Sequence, residues 1–241
     1  MKPAVVITGS GGDIGVAIAR RMRADGLYVI GLDKNPSSEV DLAFQVDIGD
    51  SEAVIEIGHH ICRDFEVSAV IHNAAVQYVE GAGATSLAHW SEIFRVNVIA
   101  IDALISTLLK NLALNKGSVV AIGSVHARAT TGGLTAYATS KAALEGWVRS
   151  AALDLGPKIR VNAVAPGAID SAKLREGFAR WADESTEARI EVLTSRTALG
   201  RLGTPADVAG AVSFLVGNDA LFVTGTTLIV DGGATARLGS E

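Results

Sequence analysis

The chain has 241 residues, 49% of them hydrophobic and 20% charged, and its formal net charge is −5. This composition allows a large buried core and excludes a predominantly disordered chain. Because lysines and arginines are scattered through an acidic sequence, binding to nucleic acid is not expected.

The sequence carries no signal for membrane insertion or export. No apolar run reaches the ~18–20 residues that a membrane-spanning helix needs, and the first residues lack the layout of a signal peptide. Cys62 is the only cysteine, which excludes an intrachain disulfide and favours a reducing compartment. We therefore predict a soluble, cytoplasmic protein without a membrane partner.

Short apolar segments rich in valine and isoleucine alternate with helical patterns along most of the chain. The apolar segments are bounded by glycine, aspartate or asparagine, as expected for buried parallel strands. We predict strands at residues 4–8, 28–32, 43–46, 67–72, 117–123, 159–164 and 227–230. We predict helices at residues 14–24, 51–65, 90–114, 137–155 and 205–216. This alternation predicts an α/β protein with a doubly wound parallel sheet of about seven strands and helices on both faces.

With no internal repeat or linker, the pattern predicts one domain over residues 1–241. Only residues 170–203 break the alternation, as a helical, charge-rich insertion between the last two strands. A long insertion at the carboxyl edge of an open sheet is a typical position for a substrate lid. Its apolar side chains, which could line a substrate pocket, include Leu174, Phe178 and Trp181. Its basic side chains, which hint at an anionic or polyhydroxylated substrate, include Lys173, Arg175 and Arg180.

A glycine-rich turn joins the first predicted strand to the first predicted helix, with the sequence Thr8-Gly9-Ser10-Gly11-Gly12-Asp13-Ile14-Gly15. At such a turn the backbone N–H groups and the helix dipole attract anions, and glycines let a pyrophosphate approach the backbone. The strand–turn–helix context therefore predicts a Rossmann-like site for a dinucleotide.

The second predicted strand runs into Asp33, which lies 18 residues beyond Gly15. This spacing is typical of a carboxylate that accepts hydrogen bonds from the adenosine ribose hydroxyls. The same charge would repel a 2′-phosphate, so Asp33 favours NAD over NADP. Lys34 follows directly and could soften this preference.

Tyr137 and Lys141 are four residues apart on a predicted helix, so they share one face with Cβ atoms about 5–6 Å apart. An ammonium group next to a tyrosine favours the phenolate and lowers the tyrosine pKa from its ordinary value near ~10. One lysine together with a cationic cofactor could bring the pKa to a value at which the tyrosine acts as a base at neutral pH.

In chain order, these motifs resemble those of the single-domain short-chain dehydrogenase/reductases, from about Val5 to Gly233. Residues 8–15 look like the family's TGxxxGxG loop, and Tyr137 and Lys141 fill its YxxxK motif. Ser124 precedes Tyr137 by 13 residues and matches the catalytic serine. Further matches are Asp47, the stretch His72-Asn73-Ala74-Ala75, Asn97, the pair Pro166-Gly167, Ser171, residues 200–205 and the closing Val230-Asp231-Gly232-Gly233.

The resemblance implies an oxidoreductase that transfers a hydride between a secondary alcohol and a nicotinamide. It implies that Tyr137 is the general base or acid, that Lys141 lowers its pKa and holds the nicotinamide ribose, and that Ser124 stabilises the substrate oxygen. Asn97 would complete the catalytic set by holding its helix open around a water that links Lys141 to solvent. The residues implied to bind the cofactor are Thr8, Gly9, Ser10, Asp13, Ile14, Gly15, Asp33, Asp47, Ile48, Asn73, Ala74, Ala75, Tyr137, Lys141, Pro166, Gly167 and Ile169.

Three residues depart from the family pattern. Asp13 stands where the loop usually has its second glycine; we expect it to point to solvent, although it could also cap N–H groups at a helix start. Ala75 replaces a glycine that runs close to the cofactor. His72 replaces an asparagine, and we expect it to have a structural hydrogen-bonding role rather than a catalytic one.

The histidines give less specific signals. His126 lies two residues after Ser124, at the predicted pocket mouth, where it either contacts substrate or is an ordinary loop residue. With Leu174 and Phe178 it forms the candidate substrate-binding set. His59 and His60 are adjacent on a predicted helix without a second ligand cluster nearby, so we predict no metal site.

We therefore expect an NAD-dependent dehydrogenase of a sugar, polyol, hydroxy acid or cyclic alcohol, with NADP the less favoured cofactor. One alternative is a 3-oxoacyl-carrier-protein reductase, against which Asp33 and the acidic charge balance argue. Another is a dinucleotide-binding regulator without catalysis, which would not need the complete catalytic set. The resemblance also implies a homotetramer formed through the apolar helices near residues 90–114 and 137–155.

Overall fold

The computed structural model of the protein describes residues 3–35, 37–179 and 185–237, and its strands form one seven-stranded sheet. Every neighbouring pair of strands is parallel, in the order β3-β2-β1-β4-β5-β6-β7. The strands are β1 Ala4–Thr8, β2 Tyr28–Asp33, β3 Leu42–Gln45, β4 Val67–His72, β5 Ser118–Ile122, β6 Arg160–Pro166 and β7 Thr227–Val230. The predicted fold class and sheet are confirmed.

Helices connect the strands and cover both faces of the sheet. They are α1 Asp13–Ala24, α2 Ser51–Asp64, α3 Leu87–Phe94, α4 Ala100–Leu114, α5 Thr135–Leu155, α6 Ala172–Ala179, α7 Thr186–Ser195 and α8 Pro205–Val216. One apolar core lies between the sheet and α2, α4 and α5, and a second lies between the sheet and α1 and α8. Because both faces are covered, the central strands β1 and β5 are buried along their whole length.

The strand order places a crevice at the carboxyl edge of the sheet. β1 pairs with β2 on one side and with β4 on the other, so the chain winds in opposite directions from this point. In open α/β sheets, ligands bind outside the carboxyl ends of the strands at such a reversal. The residues that follow β1, β4, β5 and β6 therefore share one crevice.

The helix predicted at 90–114 differs in two respects. It begins earlier, at Leu87, because the hydroxyl of Ser86 accepts a hydrogen bond from the backbone N–H of His89 (3.1 Å) and caps the first turn. It is also interrupted by a π-helical turn at Arg95–Ile99, which separates α3 from α4. Such turns inside α-helices occur frequently at functional sites.

The inserted segment 170–203 contains α6 and α7, as its helical pattern predicted. Arg180 and Trp181 lie outside the described residues. Within the described ranges, no helix combines the length and the apolar character needed to cross a membrane.

Candidate active site

The glycine loop after β1 forms a tight cradle against the end of β4. Gly9 has φ +68°, and a Cβ atom there would lie 2.7 Å from the backbone of Ala74. A Cβ atom on Gly15 would overlap the carbonyl oxygen of Gly9. Only glycine fits at these two points, because the loop turns back on itself and on β4.

The start of α1 above this loop is suited to an anion. Its N-cap is Gly12, which supplies no side-chain hydrogen bond to the first turn. The hydroxyl of Ser10 is buried and has no hydrogen-bond partner among the described residues. Backbone N–H groups at a helix start that has no side-chain cap fit the diphosphate of a dinucleotide.

Thr8 and Asn73 join the glycine loop to β4. The Thr8 hydroxyl accepts hydrogen bonds from the backbone N–H groups of Asn73 (3.1 Å) and Ala74 (3.2 Å), so its proton points to His72 Nδ1 at 3.0 Å. The Asn73 amide donates to the carbonyl of Gly9 (2.7 Å). These bonds fix the two walls of the crevice relative to each other.

His72 is buried and uncharged. Burial, and then the positive charge of Lys141, lowers the pKa of His72 from 6.5 to about 3. Because Nδ1 accepts from Thr8, the ring proton lies on Nε2, which faces the backbone carbonyls of Val96 and Asn97. No partner meets hydrogen-bond geometry at Nε2 among the described residues. The position agrees with the expected structural role.

Asp33 lies directly beside the glycine loop. Its Oδ2 accepts from the N–H of Gly11 and its Oδ1 accepts from the N–H of Asn35, both at 2.8 Å. The ammonium group of Lys34 lies 3.1 Å from Asp47 Oδ2. Lys34 therefore pairs with Asp47, and its charge is not directed at Asp33.

The remaining predicted cofactor residues follow β3 and β6 at the same edge. Asp47 and the buried Ile48 follow β3. Pro166 ends β6, and the N–H of Gly167 donates to the carbonyl of Val230 (2.9 Å). A Cβ atom on Gly167 would lie 2.7 Å from Asp231, so this turn also requires glycine. Ile169 forms an isolated bridge with Gly203.

The predicted catalytic side chains converge beyond β5. Ser124 follows β5, where its hydroxyl accepts from the N–H of His126 (3.2 Å) and hydrogen-bonds to the hydroxyl of Tyr137. Tyr137 and Lys141 lie on α5, with the ammonium nitrogen 5.7 Å from the centre of the tyrosine ring. Lys141 is almost fully buried and donates to the carbonyl of Ile122 (2.8 Å).

Burial dominates the electrostatics of Tyr137 and Lys141. Burial raises the pKa of Tyr137, and the hydrogen bond from Ser124 offsets only part of this effect. Burial, with a smaller contribution from the charge of Lys173, lowers the pKa of Lys141 from 10.5 to about 7. Lys141 by itself does not offset the effect of burial on Tyr137, because its ammonium group is turned to the carbonyl of Ile122 and is itself destabilised by burial. The lower tyrosine pKa expected from Lys141 together with a cationic cofactor stays a prediction.

Asn97 holds the π-helical turn against the rest of the site. Its side chain accepts from the N–H of Val76 (2.8 Å) and donates to the carbonyl of Val76 (3.0 Å). Its amide also donates to the hydroxyl of Ser140 (2.9 Å), which donates to the carbonyl of Tyr137 (2.7 Å). Ser140 links Asn97 to Tyr137 and was missed by sequence reasoning, although its place three residues after Tyr137 on a helix could have suggested it.

The proposed substrate residues are only partly brought together. The ring of His126 meets the ring of Tyr137 edge to face, with centroids 6.0 Å apart, and burial lowers the pKa of His126. Leu174 and Phe178 are half-buried on α6, and their contact with substrate stays a prediction. The ammonium group of Lys173 lies 3.5 Å from the carbonyl of Ala75 at the rim of the crevice.

Asp13 is exposed, as expected, but its carboxylate is not free in solvent. Its Oδ2 accepts from the backbone N–H of Ala172 at 2.6 Å. The helix that Asp13 caps is α6, 159 residues away in sequence, and not α1.

Histidines on α2 do not form a metal site in the part of the chain that the structure describes. His59 and His60 are exposed, and the described ranges contain no group of three or more histidine, cysteine or acidic side chains that could hold a metal ion.

Comparison with known proteins identifies the family. A family model described as enoyl-(acyl carrier protein) reductase matches residues 9–235. The chain is 32% identical over 250 residues to dehydrogenase/reductase SDR family member 4 of Mus musculus, covering 97% of this chain and 87% of that protein. The chain belongs to the short-chain dehydrogenase/reductase family.

Three further proteins resemble the chain over nearly its whole length. Meso-2,3-butanediol dehydrogenase of Serratia marcescens is 31% identical over 247 residues, which cover 98% of this chain and 95% of that protein. The ligand-free aldohexose dehydrogenase of Thermoplasma acidophilum superposes with a TM-score of 0.94 at 31% identity, covering 100% of this chain and 97% of that one. A structure of ElxO with NADP bound is 26% identical and superposes with a TM-score of 0.87, covering 98% of this chain and 100% of that one.

Membership of the short-chain dehydrogenase/reductase family establishes the general chemistry. The protein is an NAD(P)-dependent oxidoreductase that acts on CH–OH groups. The resemblance inferred from the motifs is thereby confirmed.

Proposed function

We propose that the protein is an NAD-dependent dehydrogenase of secondary alcohols, with Tyr137 as general base in oxidation and general acid in reduction. The observation that carries this proposal is the convergence of Ser124, Tyr137 and Lys141 at the carboxyl edge of the sheet, next to the glycine cradle. A tyrosine, a serine and a lysine in this arrangement can position a hydroxyl group and remove its proton.

In the proposed reaction the substrate hydroxyl lies between Ser124 Oγ and Tyr137 Oη. When bound, the oxidised nicotinamide supplies the acceptor for the hydride and an additional positive charge near the tyrosine. Tyr137 takes the hydroxyl proton, and Ser124 donates a hydrogen bond to the oxygen on which negative charge develops. Asn97 and Ser140 position the tyrosine through the carbonyl of residue 137.

The site of Asp33 supports NAD as the cofactor. Its carboxylate lies beside the loop and accepts hydrogen bonds from the N–H groups of Gly11 and Asn35. At this position it can also accept hydrogen bonds from the ribose hydroxyls of the cofactor. Lys34 is engaged by Asp47, which leaves the negative charge of Asp33 to repel a 2′-phosphate. ElxO, which is 26% identical to this chain, has NADP bound in its structure, and NADP is therefore the cofactor to compare with NAD.

Two relatives with named substrates support a hydroxylated small molecule as substrate. Their names specify a meso-diol and an aldohexose, both of which carry secondary alcohols. Residues 170–203 are proposed as the lid over this substrate, because Lys173 of α6 reaches the rim of the crevice at Ala75. His126, Leu174 and Phe178 are proposed to line the pocket.

The experiment that tests the function follows reduction of NAD and of NADP over a panel of alcohols. The panel contains sugars, polyols, hydroxy acids, cyclic alcohols and hydroxyacyl thioesters. We expect turnover with NAD and at least one polyhydroxylated or hydroxy-acid substrate. Turnover restricted to NADP and hydroxyacyl thioesters would contradict the proposal and support the carrier-protein reductase instead.

That second candidate, a 3-oxoacyl-carrier-protein reductase, has one observation in its favour. The matching family model is described as an enoyl-(acyl carrier protein) reductase. The net charge of −5 is unfavourable for docking an acidic carrier protein, and Asp33 is unfavourable for NADPH. We therefore place it second.

The position of Asp33 predicts a change of cofactor preference in Asp33→Asn. The variant keeps the shape of the side chain but removes the charge that opposes a 2′-phosphate, so the ratio of kcat/KM for NADP to that for NAD should rise at least about tenfold, equivalent to ~1.4 kcal/mol. The measurement is kcat/KM with each cofactor at fixed substrate. Asp41→Asn is the matched control, because Asp41 caps the opposite, amino-terminal end of β2 through Val29. An unchanged ratio in Asp33→Asn would rule out this role.

The apolar surface of α4 and α5 supports the proposed homotetramer. Leu109 is 37% exposed, Leu114 75% and Leu153 85%, although they lie on helices whose other faces are buried. A second copy would cover such side chains. Light scattering after size exclusion is expected to give four times the chain mass of 24.9 kDa; a monomer would contradict the proposal.

We infer a cytoplasmic location from the single cysteine alone.

A further inference from the structure

The contact between Asp13 and Ala172 joins two distant parts of the cofactor crevice. Asp13 is the first residue of α1, at the end of the glycine loop, and Ala172 is the first residue of α6. The Oδ2–N distance of 2.6 Å is that of a short hydrogen bond to a charged acceptor. The loop that should receive the dinucleotide is therefore bonded directly to the proposed lid.

The first turn of α6 uses Asp13 as one of its own capping groups. Ser171 Oγ accepts from the N–H of Leu174 (3.2 Å), and Asp170 forms a two-point ion pair with Arg175 (2.8 and 3.0 Å). Asp13 supplies the acceptor for the N–H of Ala172, and its charge interacts favourably with the positive end of the helix dipole. Without Asp13 this N–H would lose its acceptor within the protein.

A second contact lies on the other wall of the crevice. The ammonium group of Lys173 lies 3.5 Å from the carbonyl of Ala75, which follows β4. The glycine loop carrying Asp13 follows β1, and β1 and β4 are neighbouring strands. The first turn of α6 thus reaches both walls of the crevice at the point where the strand order reverses.

We propose that Asp13 is a positioning residue that docks the lid helix α6 on the glycine loop, and that a dinucleotide has to displace this contact in order to bind. The proposal rests on the proposed cofactor site. Asp13 is the first residue of α1 and directly follows the glycine loop proposed for the diphosphate, so its carboxylate and the diphosphate are two neighbouring anions that repel each other. Asp13 therefore keeps the lid docked before the cofactor arrives and weakens cofactor binding.

Two variants separate the charge of Asp13 from its hydrogen bond. Asp13→Asn keeps an acceptor oxygen but removes the charge, and Asp13→Ala removes both. Glu56→Gln is the matched control, since Glu56 is an exposed carboxylate on α2. Each protein is compared with the wild type by backbone amide hydrogen exchange over residues 172–179 without cofactor, and by calorimetric titration with NAD and NADP.

We expect Asp13→Ala to exchange at least tenfold faster over residues 172–179, and Asp13→Asn to show a smaller increase. Both variants should bind NAD at least threefold more tightly than the wild type, and Glu56→Gln should match the wild type in both measurements. Tighter binding in a variant with a looser lid separates this role from a general loss of structure, which would weaken binding.

Two results would overturn the proposal. Unchanged exchange over residues 172–179 in Asp13→Ala would show that Asp13 does not dock the lid. Faster exchange with unchanged or weaker NAD binding would show that docking and binding do not compete. If the wild type bound neither NAD nor NADP, the proposed function and the competition would both fail, while the exchange data would still decide whether Asp13 docks α6.

Discussion

Tyr137→Phe is expected to lower kcat for alcohol oxidation by at least about a thousandfold while NAD binding stays within about twofold of the wild type. The substitution removes only the hydroxyl that meets Ser124. The ring remains, and with it the contacts to His126 and Lys141 that hold this part of α5. The loss should therefore affect the proton transfer and not the cofactor site.

The control for this prediction is Tyr28→Phe. Tyr28 begins β2 and stacks on Phe65, with ring centroids 5.4 Å apart, at the end of the sheet opposite to the crevice. Its hydroxyl should be dispensable, so kcat should stay within about twofold of the wild type. Normal turnover in Tyr137→Phe would remove the tyrosine from the mechanism, whatever the cofactor preference.

Lys141→Met is expected to have two opposite effects: activity falls at least about a hundredfold, yet the folded protein becomes more stable at neutral pH. The activity falls because the charge next to Tyr137 is lost. The stability rises because a buried ammonium group is unfavourable: a pKa lowered from 10.5 to about 7 corresponds to roughly 5 kcal/mol, at ~1.4 kcal/mol per pKa unit. Loss of the hydrogen bond to the carbonyl of Ile122 would reduce this gain in stability by about 1–3 kcal/mol.

The sign of the pH dependence distinguishes this explanation from ordinary packing. Between pH 7 and 10.5 the unfolded chain holds a proton on Lys141 that the folded protein has lost, so wild-type stability rises with pH across this window. The advantage of Lys141→Met should be about 2 kcal/mol at pH 6 and should vanish or reverse near pH 10. Denaturant unfolding at both pH values measures it, with the exposed Lys158→Met as control. A difference that is constant with pH would contradict the lowered pKa of Lys141.

Structural features that depend on residues close together in the sequence were predicted well. Most strands are continuous apolar segments that end at or next to glycine, aspartate or asparagine, and the strand–turn–helix pattern at residues 8–15 fixes where the crevice begins. The pair Tyr137 and Lys141 is likewise local, because residues four apart share one face of a helix. The motif order then predicted the family, which the comparisons confirm.

The π-helical turn was not predictable from the apolar pattern. Residues 95–99 continue the hydrophobic periodicity of the surrounding helix without a proline or glycine. The turn is held by Asn97, whose partners Val76 and Ser140 come from a different loop and a different helix. A local pattern contains no information about such partners.

The sequence by itself determined the strand–helix alternation, the glycine cradle and the spacing of Ser124, Tyr137 and Lys141, since these depend on local backbone preferences and helical periodicity. Only the tertiary structure decided the direction of the Tyr137 pKa, the pairing of Lys34 with Asp47 and the partner of Asp13. The reason is physical: burial and charge pairing depend on which atoms of distant segments meet, and Asp13 meets a helix 159 residues away.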